Sequence, residues 1–253
     1  MSLQNILQIC YIWMGIAALV HITMFFVTAP FGRHTTTKWG FSINNKLGWI
    51  IMEMPSLGIM LYFLIYGTYS LTNYSWILFL LWILHYTHRT LIYPFRIKST
   101  PKKMPVLIVL NAILFNLMNA GLNGYFLAEL SDGLYNEKWL CSLHFYIGLF
   151  LFIIGAYINL KSDSILIHLR KPGETGYKIP VGFLFKYISS PNLFGEIIEW
   201  VGFAIMAWNI PALTFAVWTY ANLVPRAKNH HDWYKKHFED YPAERKIVFP
   251  FIF

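Results

Sequence analysis

Charge is scarce in this sequence. Asp, Glu, Lys and Arg make up 13% of its 253 residues, about half the share of a water-soluble globule, while 57% are hydrophobic and 19% aromatic. That shortage excludes a soluble domain and leaves a membrane protein. Cysteine is scarcer still. Cys10 and Cys141 are the only two; neither stands in a metal-ligating spacing, and a pair cannot supply the disulfide framework of a small secreted domain. The patterns G-x-G-x-x-G and G-x-x-x-x-G-K-[ST] are both missing, which excludes a Rossmann domain and a P-loop and leaves any nucleotide to be held by helix side chains and loops. There are no internal repeats and no low-complexity tract. No cationic leader with a cleavage site precedes the first apolar run, so that run is expected to be a retained span.

Apolar length, by contrast, is plentiful. Segments run from Ile6 to Val27, Leu47 to Tyr66, Tyr74 to Tyr93, Val106 to Leu127, Leu143 to Leu160, Phe194 to Trp208 and Ile210 to Leu223. Most reach the length of about 20 residues that a helix needs to cross the hydrocarbon layer. The last two are short and meet at a kink or turn at Asn209–Pro211. The expectation is an all-α integral membrane protein, a single seven-helix domain over residues 1–253. Connections one, three and five and the C-terminal tail carry three, four, five and six Lys/Arg, 18 of the 20. The positive-inside rule therefore puts the C-terminus in the cytosol and the N-terminus on the other side. The net charge of +8 reports topology and anchoring to a lipid bilayer, and no nucleic-acid partner follows from cations divided among membrane-proximal loops.

Some polar residues stand where lipid does not tolerate them. Glu53, in WIIMEMPSLG, lies about seven residues into the second span, where an unpaired carboxylate costs about 2.5–3.5 kcal/mol. It is therefore a functional candidate, although a Glu that merely bonds a neighbouring helix fits too. Pro55 loosens the helix beside it. The third span ends in LHYTHRTLIYPF, with His85, His88 and Arg89 on adjacent turns and Tyr86 beside them. A metal held by His85 and His88 is disfavoured, since the nine histidines are mostly scattered and the other cluster is only NHHDW. A buried carboxylic acid and a tyrosine hydroxyl make a plausible pair of donors to a carbonyl oxygen. In the fourth span Asn111, Asn116, Asn119 and Asn123 fall near one face, suited equally to interhelical bonds and to a cavity wall.

Past Asn159 the apolar pattern breaks. Asp163 and Arg170 are two helical turns apart, KPGETG forces a turn, and Asn192 and Glu196 share a face four residues apart. Arg170, Lys171, Tyr177, Asn192 and Glu196, with Arg226, His230 and Tyr234 at successive turns of a C-terminal helix, are side chains that grip phosphates, ribose hydroxyls and an amide.

Four stretches resemble the steroid 5α-reductases: EMPS, HYTHRTLIYPF, the run INLKSDSILIHLRKPGETGYKIPVGFLFKYISSPNLFGEIIEW, and the ending RAKNHHDWYKKHFEDYPAERKIVFPFIF. The resemblance covers residues 45 to 253 and identifies a member of that family or a bacterial-type homologue. It implies a seven-helix membrane fold, acting as a monomer in the inner membrane of a bacterium or the endoplasmic reticulum of a eukaryote. It also implies NADPH-dependent reduction of the Δ4 double bond of 3-oxo-Δ4 steroids of the testosterone or progesterone type. On that reading Glu53 and Tyr86 bond the C3 carbonyl. Asn159, Asp163, Arg170, Tyr177, Asn192, Glu196, Arg226, His230 and Tyr234 match cofactor-contacting positions, and Trp49 and Trp200 match positions beside the steroid. No metal is implied. The stretch RIKSTPKKMP departs from the family pattern, leaving Arg96, Lys102 and Lys103 as alternatives for a phosphate contact; NAG at 119–121 and Asn111 depart as well. Rival readings are a trans-2-enoyl-CoA reductase of lipid elongation, against which EMPS and GETGYKIP argue, and an isoprenylcysteine-type methyltransferase, against which HHDWY argues.

Overall fold

The computed structural model describes residues 1–30, 32–34, 39–68, 73–97, 103–171, 174 and 176–253. Lys102, residues 98–101 of RIKSTPKKMP, and Pro172, Gly173 and Thr175 of KPGETG lie outside the described residues. Seven long helical elements make up the described bundle: α1 (Leu3–Phe26), α2 (Asn45–Tyr66), α3 (Trp76–Thr87), α4 (Val106–Tyr125), α5 (Leu143–His168), α6 (Pro191–Ala207) and α7 (Ile210–His237). Four of them are long and apolar enough to cross a membrane: α1, α2, α4 with its continuation to Leu130, and α5. The architecture is therefore that of an all-α, multi-pass membrane protein.

Local chemistry sets the helix ends. Ser2, Asn44, Ser142 and Asn209 each cap a helix by accepting a bond from a backbone N–H of the first turn, at 3.2 Å from Asn5, 2.9 Å from Lys46, 3.3 Å from Phe145 and 2.8 Å from Ala212. The break between α6 and α7 is a sharp turn. Trp208 takes a left-handed conformation (φ 49°), and Pro211 fits the first turn of α7, where its missing N–H costs nothing. α3 runs on through a π-helical turn, His88–Ile92, into a last turn, Tyr93–Arg96. There the Tyr93 N–H reaches back five residues to the His88 carbonyl, just before Pro94 removes the next donor. A two-stranded antiparallel bridge, β1 (Ser42–Asn44) with β2 (Lys103–Pro105), pairs Ser42 with Pro105 and ties the first and third connections together at one end of the bundle.

Packing is tightest between α5 and α6. A Cβ on Gly155 would lie 2.6 Å from the Gly195 carbonyl oxygen, and one on Gly195 2.7 Å from that of Gly155, so only glycine lets these backbones touch. That approach seats Asn159 and Asp163 of α5 against the first turns of α6. The main core lies deeper, around Trp82, Phe79, Trp200, Phe203 and Phe215. α1 leans on α7 through the Trp13–Trp218 ring contact (4.5 Å) and a hydrogen bond between His21 Nδ1 and the Ala221 carbonyl (3.0 Å). Both cysteines are free thiols, Cys10 buried and Cys141 exposed.

Candidate active site

A cavity of about 560 Å³ lies among α1, α2, α3, α4, α6 and α7. Trp13, Trp49, Met52, Phe115, Phe215 and Trp218 supply apolar wall, and Glu53, Tyr86, His85, Arg89, Glu196 and Arg226 bring polar groups into it. The mixture is that of a site that holds a largely apolar molecule and fixes it by a few polar contacts.

On the cavity wall α2, α3 and α4 meet over one asparagine. Asn116 Nδ2 donates to the Met52 carbonyl at 2.6 Å and to Glu53 Oε2 at 3.4 Å, and its Oδ1 accepts from the Tyr86 hydroxyl at 3.4 Å. Pro55, inside α2, has no N–H to offer the carbonyl four residues back. The two 3.4 Å contacts are long, so the Glu53 carboxyl and the Tyr86 hydroxyl are held in place while free to turn toward a stronger partner. Behind Tyr86 a stack of rings fixes its plane: Trp82 lies 5.5 Å away and nearly parallel, and Trp200 packs edge-on against Trp82 at 4.8 Å.

The four asparagines of α4 divide. Asn111 and Asn116 line the cavity. Asn119 accepts from the Trp13 indole N–H at 3.3 Å, and Asn123 donates to the Pro211 carbonyl at 3.1 Å, so these two join helices instead.

Toward the end carrying the β-bridge, polar groups form a network. Arg89 Nη1 reaches Asp163 Oδ2 at 3.4 Å, and its guanidinium lies over the rings of Trp49 (5.0 Å) and Tyr93 (4.9 Å). Asn192 Nδ2 donates to the other Asp163 oxygen at 3.1 Å, and Asn159 Nδ2 donates to the Asn192 carbonyl at 3.0 Å and to Glu196 Oε2 at 3.4 Å. Arg226, on the facing side, donates to Asn222 at 3.1 Å. Farther out, Arg170 lies beyond the end of α5 at His168, so it does not share a helical face with Asp163; its guanidinium donates to the Gly176 carbonyl at 3.2 Å and covers the Tyr177 ring at 5.8 Å. Tyr177 packs on Trp233 of α7 (4.9 Å), His230 stacks on His34 (5.8 Å), and Tyr234 stacks on Tyr241 (5.3 Å). The C-terminal segment is pinned beside them. Ser189 donates to the Lys246 carbonyl at 2.9 Å and accepts from Tyr241 and His231, both at 2.6 Å. Burial pushes the Tyr241 hydroxyl above its usual range and His231 below its own.

The chain therefore brings Glu53, Tyr86, Trp49, Glu196 and Arg226 to the cavity wall. Asn159, Asp163 and Asn192 stand directly behind it; Arg170 and Tyr177 lie where the loop after α5 meets α7, while His230 and Tyr234 of α7 face His34 and Tyr241. Trp200 differs: it is 1% exposed, does not line the cavity, and backs His85 and Tyr86 at ring distances of 4.8 and 6.0 Å. Arg96 donates to Ser164 at 3.3 Å, whereas Lys103 is exposed. Two residues outside the sequence reading also belong here. Asn222 lines the wall, and Glu199 of α6 holds His85 by an Oε1–Nδ1 contact of 2.8 Å. Glu199 carried the same signal as Glu53, an acid inside an apolar run. Among the described residues no group of three His, Cys, Asp or Glu could hold a metal ion.

Comparison with known proteins gives this arrangement a family. A profile described as 3-oxo-5-alpha-steroid 4-dehydrogenase matches residues 102–253. Over 255 aligned residues the chain is 37% identical to steroid 5-alpha-reductase DET2 of Gossypium hirsutum, covering 99% of this chain and 98% of that protein. It is 38% identical to 3-oxo-5-alpha-steroid 4-dehydrogenase 1 of Bos taurus (96% and 95%) and 40% identical to the Homo sapiens protein of that name (88% and 86%). The chain belongs to the steroid 5α-reductase family. The resemblance drawn from the four sequence stretches is thereby borne out, and the cavity is that of a membrane-embedded member of an oxidoreductase family. The profile match takes in α4 to α7 and the polar network; Glu53 and Tyr86 precede it but fall within the nearly full-length similarity to the curated steroid 5α-reductases.

Proposed function

We propose that this protein reduces the Δ4 double bond of a 3-oxo-Δ4 steroid to the 5α-reduced 3-oxo steroid, using NADPH. The observation that carries the reading is the convergence of Glu53 and Tyr86 on Asn116 within an apolar cavity whose other end is a polar network. On this reading the protonated Glu53 carboxyl and the Tyr86 hydroxyl swing from their long contacts with Asn116 to the C3 carbonyl oxygen. Their pull on that oxygen makes C5 electron-poor. The same two donors stabilise the negative charge that gathers on the oxygen as C5 is reduced, and removing one donor of this kind typically costs about 10²–10³ in turnover. Trp49 borders the ring system, while Trp200 acts by holding Tyr86 and His85 from behind.

The donor set at the polar end fits a phosphorylated nicotinamide cofactor. Glu196 and Arg226 enter the cavity itself, offering an acceptor for an amide N–H and a cation for a phosphate. Asn159, Asp163 and Asn192 hold Glu196 and Arg89 in place, and Arg170, Tyr177, His230 and Tyr234 form the outer part of the cofactor site. When bound, the reduced nicotinamide supplies the hydride that C5 receives. The protein's own part is to hold, align and exclude water.

The seven helical elements act as seven spans, with the N-terminus outside and the C-terminus in the cytosol. The cation count of the connections and the β-bridge joining two of the cation-rich ones at one end support this orientation. The protein works as a monomer, in a bacterial inner membrane or in the endoplasmic reticulum. The test is purified protein in detergent, given NADPH with testosterone or progesterone, with NADPH absorbance and product mass followed together. The reading expects NADPH loss matched by a steroid product heavier by two hydrogens. Reduction of an enoyl-CoA in place of the steroid, or turnover that needs S-adenosylmethionine, overturns it.

A further inference from the structure

His85 is an ionisable residue of the cavity wall that the proposed reaction has not used. Its imidazole is 6% exposed and its Nδ1 lies 2.8 Å from Oε1 of Glu199, itself 2% exposed. Among the described residues no group bonds the other ring nitrogen, Nε2, which is not among the sealed, unpartnered atoms of the interior, whereas Glu199 Oε2 is. His85 also lines the cavity next to Tyr86, their rings 5.1 Å apart. Glu199 Oε1 is thereby fixed on Nδ1, and a buried pair of this kind adds little stability over an apolar pair of the same shape. Trp200, packed on the imidazole at 4.8 Å, keeps the ring from turning. Around it stand Glu53 from α2, Tyr86 and Arg89 from its own helix, and Glu196 and Glu199 from α6. The dyad thus leaves Nε2 as the imidazole nitrogen open to the cavity.

We propose that His85, oriented and charged by Glu199, is the proton donor to C4. This rests on the steroid-reducing function proposed above. Once hydride has reached C5, the substrate is an enolate. The Nε2–H bond breaks, its electron pair stays on nitrogen, and the enolate π pair forms the C4–H bond as the C3 carbonyl re-forms. Cation and anion become two neutral species, with Nδ1–H still bonded to Glu199, and a proton taken up from bulk solvent restores Nε2–H. His85 is then a catalytic residue and Glu199 a positioning one.

The experiment compares wild type, His85→Gln and Glu199→Gln, all checked for unchanged elution in detergent and unchanged NADPH binding. Wild-type turnover of the steroid tests the underlying function; its absence overturns both claims, whereas the variants speak to the dyad alone. His85→Gln is expected to lose about 10²-fold or more in kcat, with KM for steroid within threefold. Its solvent deuterium isotope effect should rise, and the effect of deuterated NADPH should fall toward unity, because proton transfer has become the slow step. Glu199→Gln should move both isotope effects the same way by less. Independently of activity, the ¹⁵N spectrum of histidine-labelled wild type at neutral pH should show one imidazole with both nitrogens protonated, missing from His85→Gln. Turnover of His85→Gln within threefold of wild type, a loss that leaves both isotope effects unchanged, or an unprotonated Nε2 in the wild type would each overturn the proposal.

Discussion

The two ends of the cavity are built on opposite plans. At the carbonyl end Glu53 and Tyr86 each meet Asn116 at 3.4 Å, with Ser56 beside the Tyr86 hydroxyl, so little has to be broken before they engage a substrate. At the other end Asn192 donates to Asp163 at 3.1 Å and Asn159 to the Asn192 carbonyl at 3.0 Å, with Arg89 and Glu196 joined to this pair at 3.4 Å, so each group has several partners. The difference teaches how a membrane enzyme divides its polar groups. Those that must change partners during the reaction are left weakly bonded in an apolar setting, where each new bond counts for more. Those that must hold a large charged cofactor are fixed before it arrives, which lowers the ordering cost of binding.

The contrast can be broken from either side. The largest effect is expected at the fixed end. Asp163→Ala takes from the Arg89 guanidinium, 13% exposed, the carboxylate it bonds and leaves it Glu196 and Glu53, a loss of about 3 kcal/mol, the low end for a broken buried pair; both the melting temperature in detergent and NADPH affinity should fall, and a variant as stable as wild type would show that the network is slack. Glu53→Gln is expected to do the reverse, keeping stability and NADPH binding while turnover falls about 10²–10³-fold. Normal rates would remove Glu53 from the chemistry. Ser189→Ala leaves Tyr241 and His231 without their shared oxygen at about 1–3 kcal/mol, read as a lower melting temperature with unchanged steroid KM; a changed steroid KM would mean that the clamp reaches the apolar end. The smallest change is expected from Arg170→Gln, whose half-exposed guanidinium contacts Gly176 and Tyr177 within its own loop. A rise of about tenfold in the NADPH requirement, ~1.4 kcal/mol, is anticipated, and an unchanged requirement would mean that the side chain faces water.

Much of this was legible from sequence because membrane helices advertise themselves. Segments expected from Val106, Leu143 and Ile210 begin at those residues in the structure, and the Asn209–Pro211 turn lies where the proline places it. The extents were less visible. α5 and α7 run well past their apolar stretches, to His168 and His237, since a helix continues into the polar interface when its backbone bonds do. Arg170, expected on the α5 face, lies beyond its end for the same reason that boundaries are hard to read: the last turn is set by contacts, not composition. Pairings between distant segments left no local trace. The His85–Glu199 contact joins residues 114 apart in sequence, and the division of the α4 asparagines follows from which helix packs on which side. Trp200 shows the same limit, because its burial behind Tyr86 depends on where α6 lies against α3.

The central claim is that Glu53 and Tyr86 grip one ketone oxygen inside the apolar cavity. Hydrogen bonds to an enone carbonyl move its ultraviolet absorption to longer wavelength, so a difference spectrum of a 3-oxo-Δ4 steroid bound to protein without cofactor reads that grip directly. A red shift is expected in the wild type, reduced in Glu53→Gln and Tyr86→Phe and abolished in the double variant. An equal shift in all four proteins would contradict the account.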